Sequence, residues 1–139
     1  MIVYERPIRF EDVDAAGIVF FARFLTYAHE AMEHFFGEIE GKYVGLITKR
    51  RIGLPAVRVE VDFRAPLRYG DVLRIETSCE KIGNKSAVLL YRMFRAGDST
   101  LSAEIRHTVV TTSLDTLKSC PMPEDVRRQL EAHRSAAKL

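Results

Sequence analysis

An acidic loop runs directly into the most apolar predicted helix of the chain, in the stretch Glu11-Asp12-Val13-Asp14-Ala15-Ala16-Gly17-Ile18-Val19-Phe20-Phe21. Within it, Asp14 is the carboxylate that small residues and a glycine follow most closely. We therefore expect backbone N–H groups after Asp14 to converge near its side chain, as in an oxyanion site at a helix N-terminus. An enzyme is the first hypothesis. Residue type and position alone also allow Asp14 to be a simple helix cap.

After this loop, apolar residues recur at helical spacing and predict a long helix over about residues 22–36, ended by Gly37. The apolar positions are Phe21, Phe24, Leu25, Ala28, Ala31, Met32, Phe35 and Phe36. The polar positions, which leave only a narrow wet side, are Arg23, Thr26, Tyr27, Glu30, Glu33 and His34. An apolar stripe this wide predicts that a sheet wraps around the helix.

Five segments have the composition and alternation of strands. They are residues 2–10, 57–64, 72–82, 86–94 and 101–112. The second alternates without error, which predicts one buried and one charged face. Turn residues separate the later strands, so we expect the last four to form an antiparallel meander. A short polar helix is predicted over about residues 124–133, and the last residues are expected to fray.

Length and composition limit the class of protein. A chain of 139 residues predicts one domain, and 47% hydrophobic residues suffice for an ordinary core. The net charge of +2 is too small to indicate nucleic-acid binding. Cys79 and Cys120 lack the spacing of a disulfide framework or a zinc site, which favours a reducing, cytoplasmic setting. Glu5, Arg6 and Arg9 interrupt any secretory signal, and no apolar run is long enough for a membrane span.

Five segments, in a fixed order, carry a resemblance to a known family. They are Glu11-Asp12-x-Asp14-x-x-Gly17-Ile18-Val19, the aromatic helix, Asp62-Phe63-Arg64-Ala65-Pro66, Gly70-Asp71-x-Leu73-x-Ile75 and Ala103-Glu104. Together they resemble the hotdog-fold 4-hydroxybenzoyl-CoA thioesterase family, which includes the acyl-CoA thioesterases associated with the Tol–Pal system. The resemblance covers nearly all of residues 3–125.

The resemblance implies an α+β hotdog fold, in which a five-stranded antiparallel sheet wraps around a long central helix in one domain. It implies a homodimer with active sites at its interface, often assembled into a homotetramer. It also implies hydrolysis of an acyl-CoA thioester without metal or redox cofactor. In this family the carboxylate at the position of Asp14 is catalytic, with Gly17 in the same motif. A backbone N–H at the position of Phe21 polarises the thioester carbonyl.

The chemistry of a thioester fits such a pair of groups. Hydrolysis needs a carboxylate that attacks the carbonyl or orients water, together with stabilisation of the developing oxyanion. Whether Asp14 is the nucleophile or the general base stays open. Another branch of hotdog thioesterases uses a helical glutamate, for which Glu30 and Glu33 are the candidates. Asp12 and Glu11 are expected to be solvated or structural, with orientation of the loop by Asp12 as the alternative.

Two departures from the family pattern concern the acyl group. His29 stands where the aryl-CoA enzyme has an aspartate that contacts the ring hydroxyl, and where the Tol–Pal branch has a glutamate. It lines the acyl pocket, or it is a hydrogen-bonded histidine at the edge of the core. Phe21 replaces a histidine of the Tol–Pal branch. Together with Phe20 and Phe24, it suggests an apolar or aromatic acyl group.

The phosphates of CoA need cationic or backbone donors near the mouth of the site. Lys85 and Ser86 match a Lys-Ser pair of the aryl-CoA enzyme and are the first candidates, with Arg64 and Arg68 as weaker ones. Each of these is otherwise a solvated surface residue. Two other functions stay open: hydrolysis of acyl groups on acyl carrier protein, and a non-catalytic hotdog subunit that binds an acyl chain or a protein.

Overall fold

A helix of 13 residues, α1 (Arg23–Phe35), lies against a five-stranded antiparallel sheet in the computed structural model, which describes residues 1–135. Helical spacing places most of its apolar residues on one face, and that face is buried. The buried residues of α1 are Phe24, Tyr27, Ala28, Ala31, Met32 and Phe35. The predicted wrapping of a sheet around this helix is confirmed, with helix bounds one residue inside the predicted ones.

The predicted faces of α1 are wrong at two positions. Tyr27, expected on the wet side, is fully buried, whereas Leu25 is half exposed. Tyr27 follows Phe24 by three residues and precedes Ala31 by four, so it shares their face. Its ring also lies under the guanidinium of Arg6, 4.9 Å from the ring centroid.

The elements follow one another along the chain with short connections. The strands are β1 (Ile2–Pro7), β2 (Ile52–Gly53), β3 (Ala56–Phe63), β4 (Val72–Ile82), β5 (Ser86–Arg95), β6 (Thr100–Val110) and β7 (Thr112–Ser113). The other α-helices are α2 (Lys42–Thr48) and α3 (Glu124–Ala132). β1 ends earlier than predicted because Phe10–Asp12 form a 3-10 turn. Fraying was expected for the last residues of the chain, and residues 136–139 lie outside the residues that the structure describes.

The strand order of the sheet is β1-β4-β5-β6-β3, and β2 pairs with β7 in a separate small sheet. The expected meander of four strands is therefore wrong: β4, β5 and β6 form one, but β3 pairs with β6 at an edge. The segment after β3 crosses the end of the sheet to reach β4, which instead pairs with β1. Alternation specifies the face of each side chain but not the neighbour of each strand.

As an edge strand, β3 does not have the buried face that its alternation predicts. Val57, Val59 and Phe63 are exposed, and Val61 on the same face is only partly buried. The ring of Phe63 meets Phe24 of α1 at 5.2 Å, so the helix covers only this end of the strand. An edge strand with uncovered apolar side chains is a surface on which another chain can pair.

Among residues 1–135, no helix has both the length and the apolar character needed to cross a bilayer.

Candidate active site

Asp14 begins a tight hairpin. Val13 pairs antiparallel with Val19, and the Asp14 N–H donates to the Ile18 carbonyl at 3.0 Å. The Gly17 N–H donates to the Asp14 carbonyl at 2.9 Å, and Gly17 has a φ of +78°. A glycine is favoured there because other residues adopt this left-handed conformation only with strain. The hairpin places the Asp14 side chain at its surface.

Two expectations about the surroundings of Asp14 are wrong. Its Oδ1 atom accepts a hydrogen bond from the Ala16 N–H at 2.8 Å, within its own turn. Because this N–H and that of Gly17 are both used by Asp14, they do not form the oxyanion site. The alternative of a helix cap also fails, since the N-cap position of α1 is Ala22, with no side-chain cap.

Free N–H groups lie instead in the turn that leads into α1. The carbonyls of Phe20, Phe21 and Ala22 accept from the following turn, but their own N–H groups have no acceptor among residues 1–135. Such donors, at the positive end of a helix dipole, suit a developing negative charge. The family-implied donor, the Phe21 N–H, is therefore available.

Asp14 and Phe21 line the same open cavity of about 410 Å³. One wall is the hairpin and the start of α1, and the other is the end of β3 with the residues after it. The lining residues are Asp14, Ile18, Val19, Phe20, Phe21, Phe24, Phe63, Arg64, Ala65 and Pro66. The cavity thus combines one carboxylate, one arginine and four aromatic rings.

Hydrogen bonds fix the second wall of this cavity. The Ser102 hydroxyl donates to the Ala65 carbonyl at 2.6 Å, and Arg95 donates to the Pro66 carbonyl at 3.1 Å. The Val19 N–H donates to the Leu67 carbonyl at 2.8 Å and joins the two walls. Hydrogen bonds therefore fix the backbone of the second wall and connect it to the first wall.

Asp12 is the residue that sequence reasoning undervalued. Its carboxylate is fully buried and forms ion pairs with Arg6 of β1 and with Arg23, the first residue of α1. Burial alone would raise the pKa of Asp12, but the Arg9 N–H and the two guanidinium groups outweigh it and lower the pKa. The alternative that Asp12 orients the loop thus has a structural basis. The sequence did contain one signal for this ion pair, because Arg6 is a charged residue within a mostly apolar strand.

The two helical glutamates do not line this cavity. Glu30 accepts hydrogen bonds from the Tyr4 hydroxyl at 2.9 Å and from Arg6 at 3.3 Å, which ties it to β1. Glu33 is exposed, with its Oε1 atom 3.6 Å from Nε2 of His29. His29 itself is 57% exposed and packs edge-on against Tyr43 at 6.3 Å, two turns of α1 beyond Phe21.

The predicted phosphate contacts are split between the two ends of the sheet. Arg64 lines the cavity, whereas Lys85 and Ser86 lie at the start of β5, whose far end carries Arg95 beside Pro66. Along β5, seven residues separate Ser86 from the residue that lies level with Phe63 of β3. This separation corresponds to about 23 Å of extended strand. Within one chain, Lys85 and Ser86 are therefore not part of the cavity.

A larger cavity of about 650 Å³ lies at the same end of the sheet, around the turn between β5 and β6. Its arginine, Arg95, is already bound by Asp98 and by the Pro66 carbonyl. Its Asp71 accepts a hydrogen bond from the Arg68 N–H. With these groups engaged, the smaller cavity at Asp14 is the better candidate for chemistry.

Comparisons with known proteins identify the family and the fold of this chain. The family model described as the thioesterase-like superfamily matches residues 8–130. A 1,4-dihydroxy-2-naphthoyl-CoA hydrolase of Nostoc punctiforme is 32% identical over 137 residues, which cover 96% of this chain and 89% of that protein. A hydrolase of the same name from Microcystis aeruginosa is 29% identical, covering 91% of each chain.

Solved structures give the same result. The structure of a gentisyl-coenzyme A thioesterase has a TM-score of 0.81 and 32% identity, covering 91% of this chain and 99% of that one. A 1,4-dihydroxy-2-naphthoyl-CoA thioesterase from Synechocystis has a TM-score of 0.84 and 27% identity, covering 92% and 93%. The predicted hotdog fold is confirmed, while the narrower resemblance to the 4-hydroxybenzoyl-CoA and Tol–Pal enzymes stays a prediction. The chain therefore belongs to the thioesterase-like superfamily.

Proposed function

We propose that this chain hydrolyses the CoA thioester of a hydroxylated aromatic acid to the free acid and CoA. The chain is a thioester hydrolase, as its CoA-hydrolase relatives and thioesterase structural neighbours establish. The observation that carries the narrower proposal is the cavity that Asp14 lines together with four phenylalanines. A flat ring can stack between such walls. The relatives named above act on dihydroxynaphthoyl and gentisyl thioesters, which are flat and hydroxylated.

In the proposed reaction the thioester carbonyl accepts a hydrogen bond from the Phe21 N–H, at the start of α1. Asp14 removes a proton from a water that attacks the carbonyl carbon, or it attacks that carbon itself and forms an anhydride that water then hydrolyses. Both routes expel the CoA thiolate and release the free acid. The Ala16 N–H holds Oδ1 of Asp14, which leaves the Oδ2 atom for the reaction. Charge that builds on the carbonyl oxygen is stabilised by the free N–H groups and the dipole of α1. Water is the only other reactant, so we propose no cofactor.

Arg64 is the cation best placed for CoA, because it is exposed and lines the cavity. A phosphate passing the mouth of the site would meet its guanidinium. Lys85 and Ser86 could contribute from a second copy of the chain. If two copies of β3 pair side by side about a two-fold axis, the two strands run in opposite directions. The end of one sheet that carries Lys85 then lies level with the cavity of the other copy.

The uncovered β3 edge supports a homodimer as the active form. Val57 and Val59 on β3 and Leu25 on α1 are exposed, although a single chain would gain from burying them. Pairing of two β3 strands joins the sheets and covers these side chains. We propose this dimer, and its further pairing into a tetramer, as the family resemblance implies. The free thiols of Cys79 and Cys120 fit a reducing, cytoplasmic setting.

The test is a panel of thioesters with detection of the released thiol. It contains 1,4-dihydroxy-2-naphthoyl-CoA, 2,5-dihydroxybenzoyl-CoA, benzoyl-CoA and a fatty acyl-CoA, and each acyl group is also presented on acyl carrier protein. We expect the highest kcat/KM with a hydroxylated aromatic CoA thioester. Faster hydrolysis from acyl carrier protein would favour that carrier, and hydrolysis nowhere in the panel would favour a non-catalytic binding subunit.

A further inference from the structure

Two aromatic rings form an exposed pair beside the active-site hairpin. The rings of Phe10 and Tyr69 lie 5.9 Å apart, edge to face, yet the two residues are 76% and 62% exposed. Single exposed apolar residues are common, but two large rings in contact with each other form a patch that a planar ligand can cover. Neither ring belongs to the cavity or to the core.

The backbone around this pair is fixed on both sides. The Ile8 N–H donates to the Asp71 carbonyl at 2.8 Å, and the Gly70 N–H donates to the Ile8 carbonyl at 3.4 Å. The two segments that carry the rings are thus joined by hydrogen bonds only two residues from Phe10 and one from Tyr69. The rings are presented on a preformed surface, which lowers the entropic cost of binding.

Positive charge flanks both rings. Arg9 precedes Phe10 and Arg68 precedes Tyr69, and both arginines are exposed. The Arg9 guanidinium lies 3.9 Å from Glu11 in a solvent-exposed ion pair, which is weak. Arg68 takes part in none of the ion pairs within residues 1–135. Aromatic rings on residues adjacent to exposed arginines suit a ligand with a flat heterocycle and phosphate groups.

Backbone contacts link the patch to the cavity. Ile18, which lines the cavity, forms a backbone bridge with Arg68. Tyr69 follows the cavity residue Pro66 by three positions, a span of at most about 11 Å of extended chain. The pantetheine arm of CoA is long enough to leave the cavity past Pro66 and reach this surface. The route stays on one chain and leads away from the β3 edge.

We propose that Phe10 and Tyr69 form a stacking site for the adenine of the CoA substrate, with Arg68 and Arg9 meeting its phosphates. This subsite rests on the proposed CoA-thioester hydrolysis and adds the binding of the nucleotide end. The remote nucleotide supplies binding energy that the acyl group does not. The same acyl group on pantetheine alone would lack these contacts.

The test compares one acyl group on CoA and on pantetheine, with thiol release as the readout. We expect Tyr69→Ala and Phe10→Ala each to raise KM for the acyl-CoA about fivefold or more, the effect of losing one base-stacking contact. Neither variant changes kcat/KM for the acyl-pantetheine. Tyr69→Phe keeps the ring and restores the parental KM. Leu117→Ala, at an exposed apolar residue outside this patch, serves as the control.

Three outcomes overturn the subsite. One is an unchanged KM for acyl-CoA in both alanine variants; a second is an equal loss on acyl-CoA and acyl-pantetheine. The third is a raised KM in Lys85→Ala with no change in the Phe10 and Tyr69 variants, which would mean that the nucleotide binds to Lys85 of a second copy of the chain. If the parent enzyme hydrolyses neither carrier form of any acyl group, the proposed function fails rather than the subsite alone. Sedimentation of each variant checks that Tyr69 and Phe10 are not contacts between copies.

Discussion

The buried carboxylate of Asp12 accepts a hydrogen bond at 3.0 Å from Nε of Arg23, the residue at which α1 begins. Asp12 lies two residues before Asp14, and Arg23 lies two residues after Phe21. A cation is unfavourable at the positive end of a helix, so Arg23 depends on this carboxylate. The pair therefore sets the position of Asp14, the proposed catalytic carboxylate, relative to Phe21, whose N–H is the proposed oxyanion donor.

Replacement of Asp12 with asparagine should destabilise the protein and slow the reaction. The amide would keep the shape of the side chain but leave Arg23 without a counter-charge and Arg6 with Glu30 alone, at a cost of about 3–5 kcal/mol in the free energy of unfolding. Urea unfolding at pH 7 measures this loss, and kcat should fall because the loop and helix separate. Glu11→Gln is the control, since this exposed neighbour should change stability by less than about 0.5 kcal/mol. Parental stability in Asp12→Asn would contradict the role of the pair.

Replacement of Asp14 with asparagine should nearly abolish turnover, whereas Glu33→Gln should leave most of it. Both changes convert a carboxylate to its amide, but only Asp14 lines the cavity. A positioned base or nucleophile contributes roughly 10²–10⁴-fold, so kcat should fall by at least about a hundredfold. Single-turnover rates with a hydroxyaryl-CoA measure the chemical step. Similar losses in the two variants would mean that the helical glutamate shares the reaction.

The sequence identified the cavity residues better than the contacts that hold them. Asp14, Phe21 and Arg64 come together as expected because they flank a turn and a strand end with recognisable patterns. Orientation of the loop by Asp12 was only the alternative, because a carboxylate two residues from Asp14 looks the same in sequence whether it is solvated or bound by arginines. Its partners come from β1 and α1, and only the fold brings them together.

The position of β3 was beyond sequence reasoning for a different reason. Its alternating pattern correctly places Val57, Val59 and Phe63 on one face, but it cannot say what covers that face. Burial was expected within one chain, whereas the structure leaves these residues exposed at an edge. Alternation alone does not say whether the rest of the same chain or a second chain would cover that face.

Arg64→Ala should raise KM for CoA thioesters about fivefold while changing kcat little. The arginine lines the cavity mouth, and removing one charge-assisted contact to a phosphate costs about 1 kcal/mol or more. The parent KM should rise with ionic strength, and that slope should be shallower in the variant. Arg128→Ala, at an exposed residue of α3, is the matched control. Equal KM values for both variants would remove Arg64 from the phosphate site.

A charge on the apolar strip of β3 should dissociate the proposed dimer. Val59 is 42% exposed in the single chain and would be covered by a second β3 strand. Val59→Asp places an unpaired carboxylate in that interface, so sedimentation should show a halved mass, and activity should fall with it. Leu117→Asp, at another exposed apolar residue, should keep the mass and the rate. A Val59→Asp protein with parental mass would place the dimer contact elsewhere.

Acid should remove the ion pair between Asp125 of α3 and Arg50, which lies after α2. The two guanidinium nitrogens lie 2.7 and 2.8 Å from the carboxylate oxygens, and this contact lowers the pKa of Asp125 to about 2. An unfolded aspartate titrates near pH 3.9, so the folded state binds the proton less readily and gains stability above that pH. The gain is complete at neutral pH and is lost as the pH falls from about 4 towards 2.

Asp125→Asn should therefore lower the free energy of unfolding by about 2 kcal/mol at pH 7, the range of a charge-assisted hydrogen bond. Urea unfolding of the parent and the variant at pH 7, 4 and 3 should show this difference shrinking with acid. Asp115→Asn is the comparison, because its ion pair with Arg51 is exposed and should contribute less than about 1 kcal/mol. A difference that stayed constant down to pH 3 would assign the loss to altered packing of α3 rather than to the charge of Asp125.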